Sequence, residues 1–124
     1  MCYCCSIPSD ASILIVKPKW LEKIYETGKD LEIRGQRCPS KINKGIYFCP
    51  SGASAVTGTA VIVDCLGPLT PKQWRELRPR HQVPGPRFYG SHTYAWELQK
   101  VERRPPHPIV RSTQVIWQTG PGGS

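Results

Sequence analysis

The residues best suited to chemistry lie in one short stretch, Gly28 to Arg34, with the sequence GKDLEIR. Lys29 precedes a strand pattern in which Glu32 and Arg34 alternate with apolar residues. Because side chains alternate between the two faces of a strand, we expect both charged groups on one face, with Lys29 within their reach. Arg34 and Lys29 could attract a phosphate or a base carbonyl, and Glu32 could accept from an exocyclic amine, as carboxylates do with cytosine.

Other residues could extend such a site. Lys17 adds charge at the end of the preceding strand, and Ser51 follows a strand in a glycine-containing turn whose backbone N–H groups could meet a phosphate. Tyr94 and Trp96 offer rings for stacking on unpaired bases, although we expect Trp96 in the core. The GKDLEIR stretch also permits a simpler interpretation, a solvated surface ion pair that contributes about 0 to 1 kcal/mol.

Local patterns predict the elements that position these residues. A first helix follows Pro18 and ends at Gly28. A second begins at Thr70, where Gln73 completes a capping box, and ends before Pro79. Strands are predicted at residues 13–16, 31–34, 46–49, 59–63, 94–101 and 115–117.

Proline and glycine mark the remaining segments. They predict loops at residues 35–44 and 80–92 and an irregular segment at 103–108. Mostly strands with two short helices indicate a compact α+β domain with a mixed or antiparallel, partly closed sheet. We expect one domain over residues 12–119, a flexible N-terminal segment over 1–11 and a flexible tail over 120–124.

Composition and charge indicate the class of partner and the cellular compartment. A chain of 124 residues suits one domain, and its net charge of +8 favours a polyanionic partner, RNA or a nucleotide first. Apolar runs fall short of the roughly 20 residues that cross a bilayer, and the N-terminus lacks a signal-peptide pattern. We therefore expect a monomer in the cytoplasm or nucleus with no membrane partner.

The cysteines do not predict a metal site or a disulfide framework. Cys2, Cys4 and Cys5 lack the paired spacing of a zinc site. Cys49 and Cys65 fall in strand-like runs, where cysteine is commonly a small buried apolar residue. The sequence also lacks a phosphate-binding Walker loop, GxGxxG and HExxH. No cofactor and no metal are expected.

The order of these segments resembles an ASCH domain. The similarity begins with the strand from Ile13, its helix, and Gly28-Lys29 followed by Glu32-Ile33-Arg34. It continues through residues 58–64, 94–98 and 115–117, so that it covers about residues 13–119. The resemblance implies a PUA-like, partly closed β-barrel with two or three short flanking helices. It also implies a cleft with the GKDLEIR stretch at its mouth.

The resemblance implies a small stand-alone domain that binds RNA or a nucleotide in a basic cleft. Alternatives are a hydrolase that uses the same cleft and a protein-interaction domain whose cleft is vestigial. One branch of the family resembles an amidohydrolase that removes the acyl group from N4-acetylcytidine, and another is associated with ribonuclease activity. Fold alone does not choose among them.

The amidohydrolase pattern matches this chain in part. Lys29 matches its catalytic lysine, but Glu32 stands where the pattern has a nucleophilic threonine. Glu32 would instead have to activate water as a general base, and Asp64 or Glu97 would be the assisting carboxylate. A ribonuclease would need an acid and a base, for which the candidates by type are His81, His92 and His107. We expect these histidines to be solvated loop residues.

Overall fold

A curled, mixed sheet forms a half-barrel against which three short helices pack. The computed structural model describes residues 12–38 and 43–109, together with the backbone of 115–117. Its elements are β1 (Ser12–Val16), α1 (Pro18–Glu26), β2 (Leu31–Arg34), β3 (Lys44–Pro50), β4 (Ala55–Leu66), α2 (Pro71–Glu76), α3 (Arg78–His81), β5 (Tyr94–Pro108) and β6 (Val115–Trp117). The strand order is β2-β5-β4-β3-β1-β6, in which β1 is parallel to both of its neighbours and the other pairs are antiparallel. The predicted α+β, PUA-like, partly closed barrel is confirmed.

The first helix forms as its pattern predicts. Pro18 occupies the first turn of α1, and the apolar face buries Trp20, Leu21 and Ile24 against the sheet. Gly28 follows the helix with a φ of +80°, a left-handed conformation that glycine adopts without steric cost. This turn directs the chain into β2 and places the GKDLEIR stretch at the edge of the sheet.

The capping box of the second helix is also confirmed. The Thr70 hydroxyl accepts from the Gln73 N–H at 3.1 Å, and the Gln73 side chain accepts from the Thr70 N–H at 2.8 Å. The loop predicted over residues 80–92 is partly wrong, because α3 reaches His81 and a single 3-10 turn covers Gly90–His92. Contacts with the start of β2 hold α3 in place: the Asp30 N–H donates to the Arg80 carbonyl at 3.1 Å.

The prediction of an irregular segment at 103–108 is wrong, because β5 continues to Pro108. β5 pairs with β4 within this segment, with Gly58 opposite Arg103 and Val56 opposite His107. The step from Arg103 to His107 on β5 therefore covers four residues against two on β4, and Pro105 and Pro106 lie in the resulting bulge. A bulge accepts proline because its residues need not donate to the ladder.

The core lies between the curled sheet and the helices and includes residues from α1, from α2 and from β1 to β5. A smaller cluster of Ile13, Cys49 and Val56 lies apart from it. The segments at 1–11 and 120–124, for which flexibility was predicted, lie outside the described residues. In the described part of the chain, every helix is too short or too polar to span a bilayer.

Candidate ligand-binding site

Three charged side chains of the GKDLEIR stretch lie inside the protein. Lys29, Glu32 and Arg34 are 2%, 0% and 2% exposed. The interpretation as a solvated surface ion pair is therefore wrong. Groups with these charges are rarely buried unless they are paired, because each loses several kcal/mol of hydration, roughly, on leaving water.

Arg34 organises the carboxylate of this cluster. Its Nε and Nη2 atoms donate to Glu32 Oε2 at 3.0 and 2.8 Å. Nη2 also donates to the Ile15 carbonyl at 2.9 Å, and the guanidinium lies 5.5 Å from the centre of the Trp96 ring. Arg34 Nη1 is buried and has no hydrogen-bond partner among the described residues.

Lys29 is held by backbone carbonyls. Its Nζ donates to the carbonyls of Leu31 and His81 at 2.7 Å each, and it lies 5.4 Å from the centre of the Trp20 ring. Burial lowers the pKa of Lys29 to about 8; the Glu32 carboxylate opposes the shift, and the Arg34 guanidinium adds to it. Lys29 therefore stays mostly protonated near pH 7 and loses its charge as the pH rises through about 8.

The backbone carbonyl of His81 holds Lys29, and the His81 ring itself is buried. The Val83 N–H donates to His81 Nδ1 at 2.9 Å, so the proton is on Nε2, which donates to the Trp74 carbonyl at 2.8 Å. The ring stacks on Trp74 with centroids 3.8 Å apart, and burial lowers the pKa of His81. The prediction of a solvated loop histidine is wrong for His81. The sequence signal for this packing is the spacing of seven residues between Trp74 and His81, which corresponds to about two helical turns.

The histidines do not form one site. His81 ends α3, His92 is exposed in the 3-10 turn, and His107 lies on β5. A ribonuclease mechanism that relies on this set has no support from their placement.

A narrow crevice borders the charged cluster. It is lined by Trp20, Lys29, Glu32, Ile33, Val83 and Phe88. Between these residues the space is too tight for a water molecule. Phe88 forms the outer wall and is 46% exposed. The sequence analysis did not single out Trp20 or Phe88. The one signal it offered was for Phe88, an aromatic residue in a segment rich in proline and glycine.

Other predicted contacts lie away from this crevice. Lys17 is exposed at the N-cap of α1. Ser51 is exposed in the turn after β3, and its backbone N–H donates to the Val16 carbonyl at 2.8 Å. Tyr94 is half-buried beneath the Arg37 guanidinium at 5.4 Å. None of these predicted residues lines the crevice.

The two candidate assisting carboxylates also lie elsewhere. Glu97 accepts from Arg80 Nη2 at 2.9 Å, and Arg80 is bound to Asp30 as well. Asp64 is exposed and accepts from the Cys65 N–H. Glu32 is therefore the carboxylate in the crevice. Within the described ranges, no three His, Cys, Asp or Glu side chains converge in a way that could hold a metal ion.

Comparison with solved structures identifies the fold. The crystal structure of ASCH from Zymomonas mobilis matches with a TM-score of 0.65 at 13% identity, over 78% of this chain and 72% of that chain. The chain has the fold of an ASCH domain. Two mutants of the same Zymomonas mobilis protein match similarly, one with a TM-score of 0.65 at 13% identity over 78% and 74% of the two chains. The other has a TM-score of 0.60 at 17% identity over 86% and 79%. No protein-family model matches this ASCH-fold chain, and neither does any curated protein.

Proposed function

We propose that this ASCH-fold protein binds RNA or a nucleotide by taking a base into the crevice beside Lys29 and Glu32. One observation carries the proposal: two cations and one carboxylate are buried next to a crevice with aromatic walls. Apolar residues of similar volume often fill such a space at a lower cost in folding free energy. Strongly perturbed ionisable groups in a cleft are typical of functional sites.

The charge balance of the cluster indicates the kind of ligand. Glu32 is paired with Arg34, whereas both hydrogen bonds of the Lys29 ammonium go to neutral carbonyls. The cluster therefore has an excess positive charge, which favours a carbonyl oxygen or a phosphate. Glu32 lines the same crevice and suits an exocyclic amine. Cytosine carries both a carbonyl oxygen, which suits Lys29, and an exocyclic amine, which suits Glu32.

Aromatic walls suit a flat ligand. Trp20 and Phe88 line the crevice and offer ring faces on which a base could stack. Because the crevice is closed to water, ligand entry requires Phe88 to move outward. Its segment contains the exposed residues Pro84 to Pro86, and Gly90 has a φ of +60°. The net charge of +8 supports attraction of RNA to the protein before this opening.

Fluorescence anisotropy with labelled single-stranded RNA and with mononucleotides tests the proposal. We expect K29M and F88A to weaken mononucleotide binding about tenfold or more, the equivalent of roughly 1.4 kcal/mol. K72M is the matched control, because it removes the same charge from a lysine side chain that is 78% exposed in α2. Circular dichroism would verify that each variant is folded.

Two results would overturn the proposal. One is negligible binding of RNA and nucleotides by the wild-type protein at low salt, where phosphate contacts are strongest. The other is an equal loss in K29M and K72M, which would leave only non-specific attraction between charges. That second result would favour an interaction domain with a vestigial cleft.

A hydrolase in the same crevice is the second candidate, and the lowered pKa of Lys29 favours it. Neutral Lys29 could take a proton from the water that attacks the acyl carbon and return it to the amine nitrogen as the C–N bond breaks, while Glu32 orients that amine. Glu32 supplies no hydroxyl nucleophile, so attack would come from water. The test is turnover of N4-acetylcytidine and of a short RNA by the wild type, K29A and E32A. If the wild type consumes neither substrate, the hydrolase proposal fails.

A further inference from the structure

A second open groove crosses four neighbouring strands, β1, β3, β4 and β5. Its volume is about 460 Å³, within the range of about 300 to 1,000 Å³ for ligand sites, and it shares no lining residue with the crevice. At its centre β3 pairs with β4, with Tyr47 opposite Thr59 and Gly45 opposite Val61. Gly45 has open space above it, since an added Cβ would meet nothing within 4 Å.

Cations surround this groove. Lys44, Lys100 and Arg104 line it, and the one carboxylate among the lining residues is Glu102. Arg104 is engaged, since its Nη2 donates to Glu102 at 2.8 Å and its Nε donates to the Thr59 hydroxyl at 3.3 Å. The two lysines have no ion pair with any residue in the described ranges. The groove therefore has uncompensated positive charge.

Lys100 reaches the groove from a β-bulge. Thr59 pairs with Glu102 and Val61 with Gln99, so β5 has one more residue than β4 between these pairs. Lys100 has a φ of +55°, a left-handed conformation that its Cβ disfavours. Glycine usually occupies such a bulge position, and bulges redirect side chains next to functional sites. A strained lysine at this position supports a role in binding.

We propose that this groove is a second RNA-binding surface, which binds the phosphate backbone of single-stranded RNA and stacks a base on Tyr47. Proteins that bind single-stranded nucleic acid with little sequence preference usually combine cations along the path of the phosphate backbone with aromatic rings on which bases stack. A membrane surface is disfavoured, because the one large apolar side chain exposed among the described residues is Phe88, which lies in the crevice and not in the groove. The inference goes beyond the crevice and does not require it.

The test compares the affinity of wild type and variants for oligouridine of about ten nucleotides, a length within typical single-strand sites. K100N removes the charge with a residue that tolerates a positive φ, K44Q removes the second lysine, and K72Q is the matched control on α2. We expect K100N and K44Q each to weaken oligouridine binding about fivefold and to lower the salt slope by about one. Mononucleotide affinity should not change. K100G should retain or raise the melting temperature while it loses the same RNA affinity.

Several results would overturn the inference. These are an equal effect of K100N and K72Q, a lower melting temperature in K100G, or the same dependence on Lys100 for polyglutamate or anionic vesicles. The two proposals fail separately. If K100N weakens oligouridine binding while mononucleotides do not bind, the groove stands and the crevice proposal fails. If K29M weakens mononucleotide binding while K100N has no effect, the reverse holds.

Discussion

The Nη2 atom of Arg34 lies 2.9 Å from the carbonyl oxygen of Ile15 and joins two strands that are not neighbours in the sheet. Arg34 is on the edge strand β2, and Ile15 is on β1, with three strands between them in the sheet order. The hydrogen bond therefore spans the open side of the half-barrel. The same guanidinium binds Glu32, so closure of the barrel and assembly of the charged cluster depend on one side chain.

Replacement of Arg34 should destabilise the fold strongly. R34M leaves the Glu32 carboxylate buried without its partner and removes the donor to the Ile15 carbonyl, so we expect a loss of about 3 to 5 kcal/mol. Urea denaturation would measure the change in free energy of unfolding. R103M is the control, because Arg103 makes half-exposed ion pairs with Glu22 and Glu26 and should cost about 1 kcal/mol or less. Equal losses in the two variants would contradict a special role for Arg34.

Lys29 should make stability rise with pH. Its pKa is lowered to about 8 in the folded protein, so between about pH 8 and its ordinary value of 10.5 the unfolded chain binds more protons than the folded one. The free energy of unfolding should then increase with pH in this window, by up to about 1.4 kcal/mol per pH unit. Denaturation of wild type and K29M at several pH values checks this, and the slope should be smaller in K29M. Parallel curves would show that Lys29 does not titrate in this window.

The same titration separates the two candidate functions. If Lys29 binds a phosphate or carbonyl as a cation, nucleotide affinity should fall as pH rises through about 8. If neutral Lys29 is the base of a hydrolase, kcat/KM should rise through the same pH and then level off. Parallel measurements of affinity and turnover across this pH give opposite signs for the two functions. A flat profile in both would exclude Lys29 from the chemistry.

Gly58 should be intolerant of a side chain. A Cβ at this position would lie 2.6 Å from the Glu102 carbonyl oxygen and would overlap the Tyr25 hydroxyl. G58A must push these groups apart, which we expect to cost about 1 to 3 kcal/mol of stability. G45A provides the matched strand control, since its Cβ would meet nothing within 4 Å. Thermal denaturation that ranks G45A at or below G58A would show that this contact is wrong.

Local patterns predicted much of the fold. The amphipathic face of α1, the glycine at its end and the capping box at Thr70 act within a few residues, so they could be recognised from the chain alone. The loop prediction failed at α3, where contact with Asp30 helps to hold the helix. The strand prediction failed after Arg103, because pairing with β4 tolerates Pro105 and Pro106 within a bulge. Both failures come from contacts between residues far apart in sequence.

For the candidate site, the sequence predicted the residue types but not their environment. Alternation indicated a shared face for Glu32 and Arg34, yet it could not show that both are buried. The aromatic walls of the crevice come from α1 and from the segment after α3. These elements meet Lys29 only after the chain has folded back on itself. Whether Lys17, Ser51 and Tyr94 contact a ligand stays a prediction.

The sequence by itself determined that a lysine, a glutamate and an arginine would stand together at the start of a strand, because a helix stop and a two-residue period are local properties. Only the tertiary structure decided what these groups can do. The carbonyls of His81 and Leu31 accept hydrogen bonds from the Lys29 ammonium, and burial of that ammonium lowers its pKa to about 8. Arg34 acquires its partner on β1 only when the sheet curls. Burial and long-range pairing change the energies of charged groups by several kcal/mol, roughly, and both depend on neighbours that lie far away along the chain.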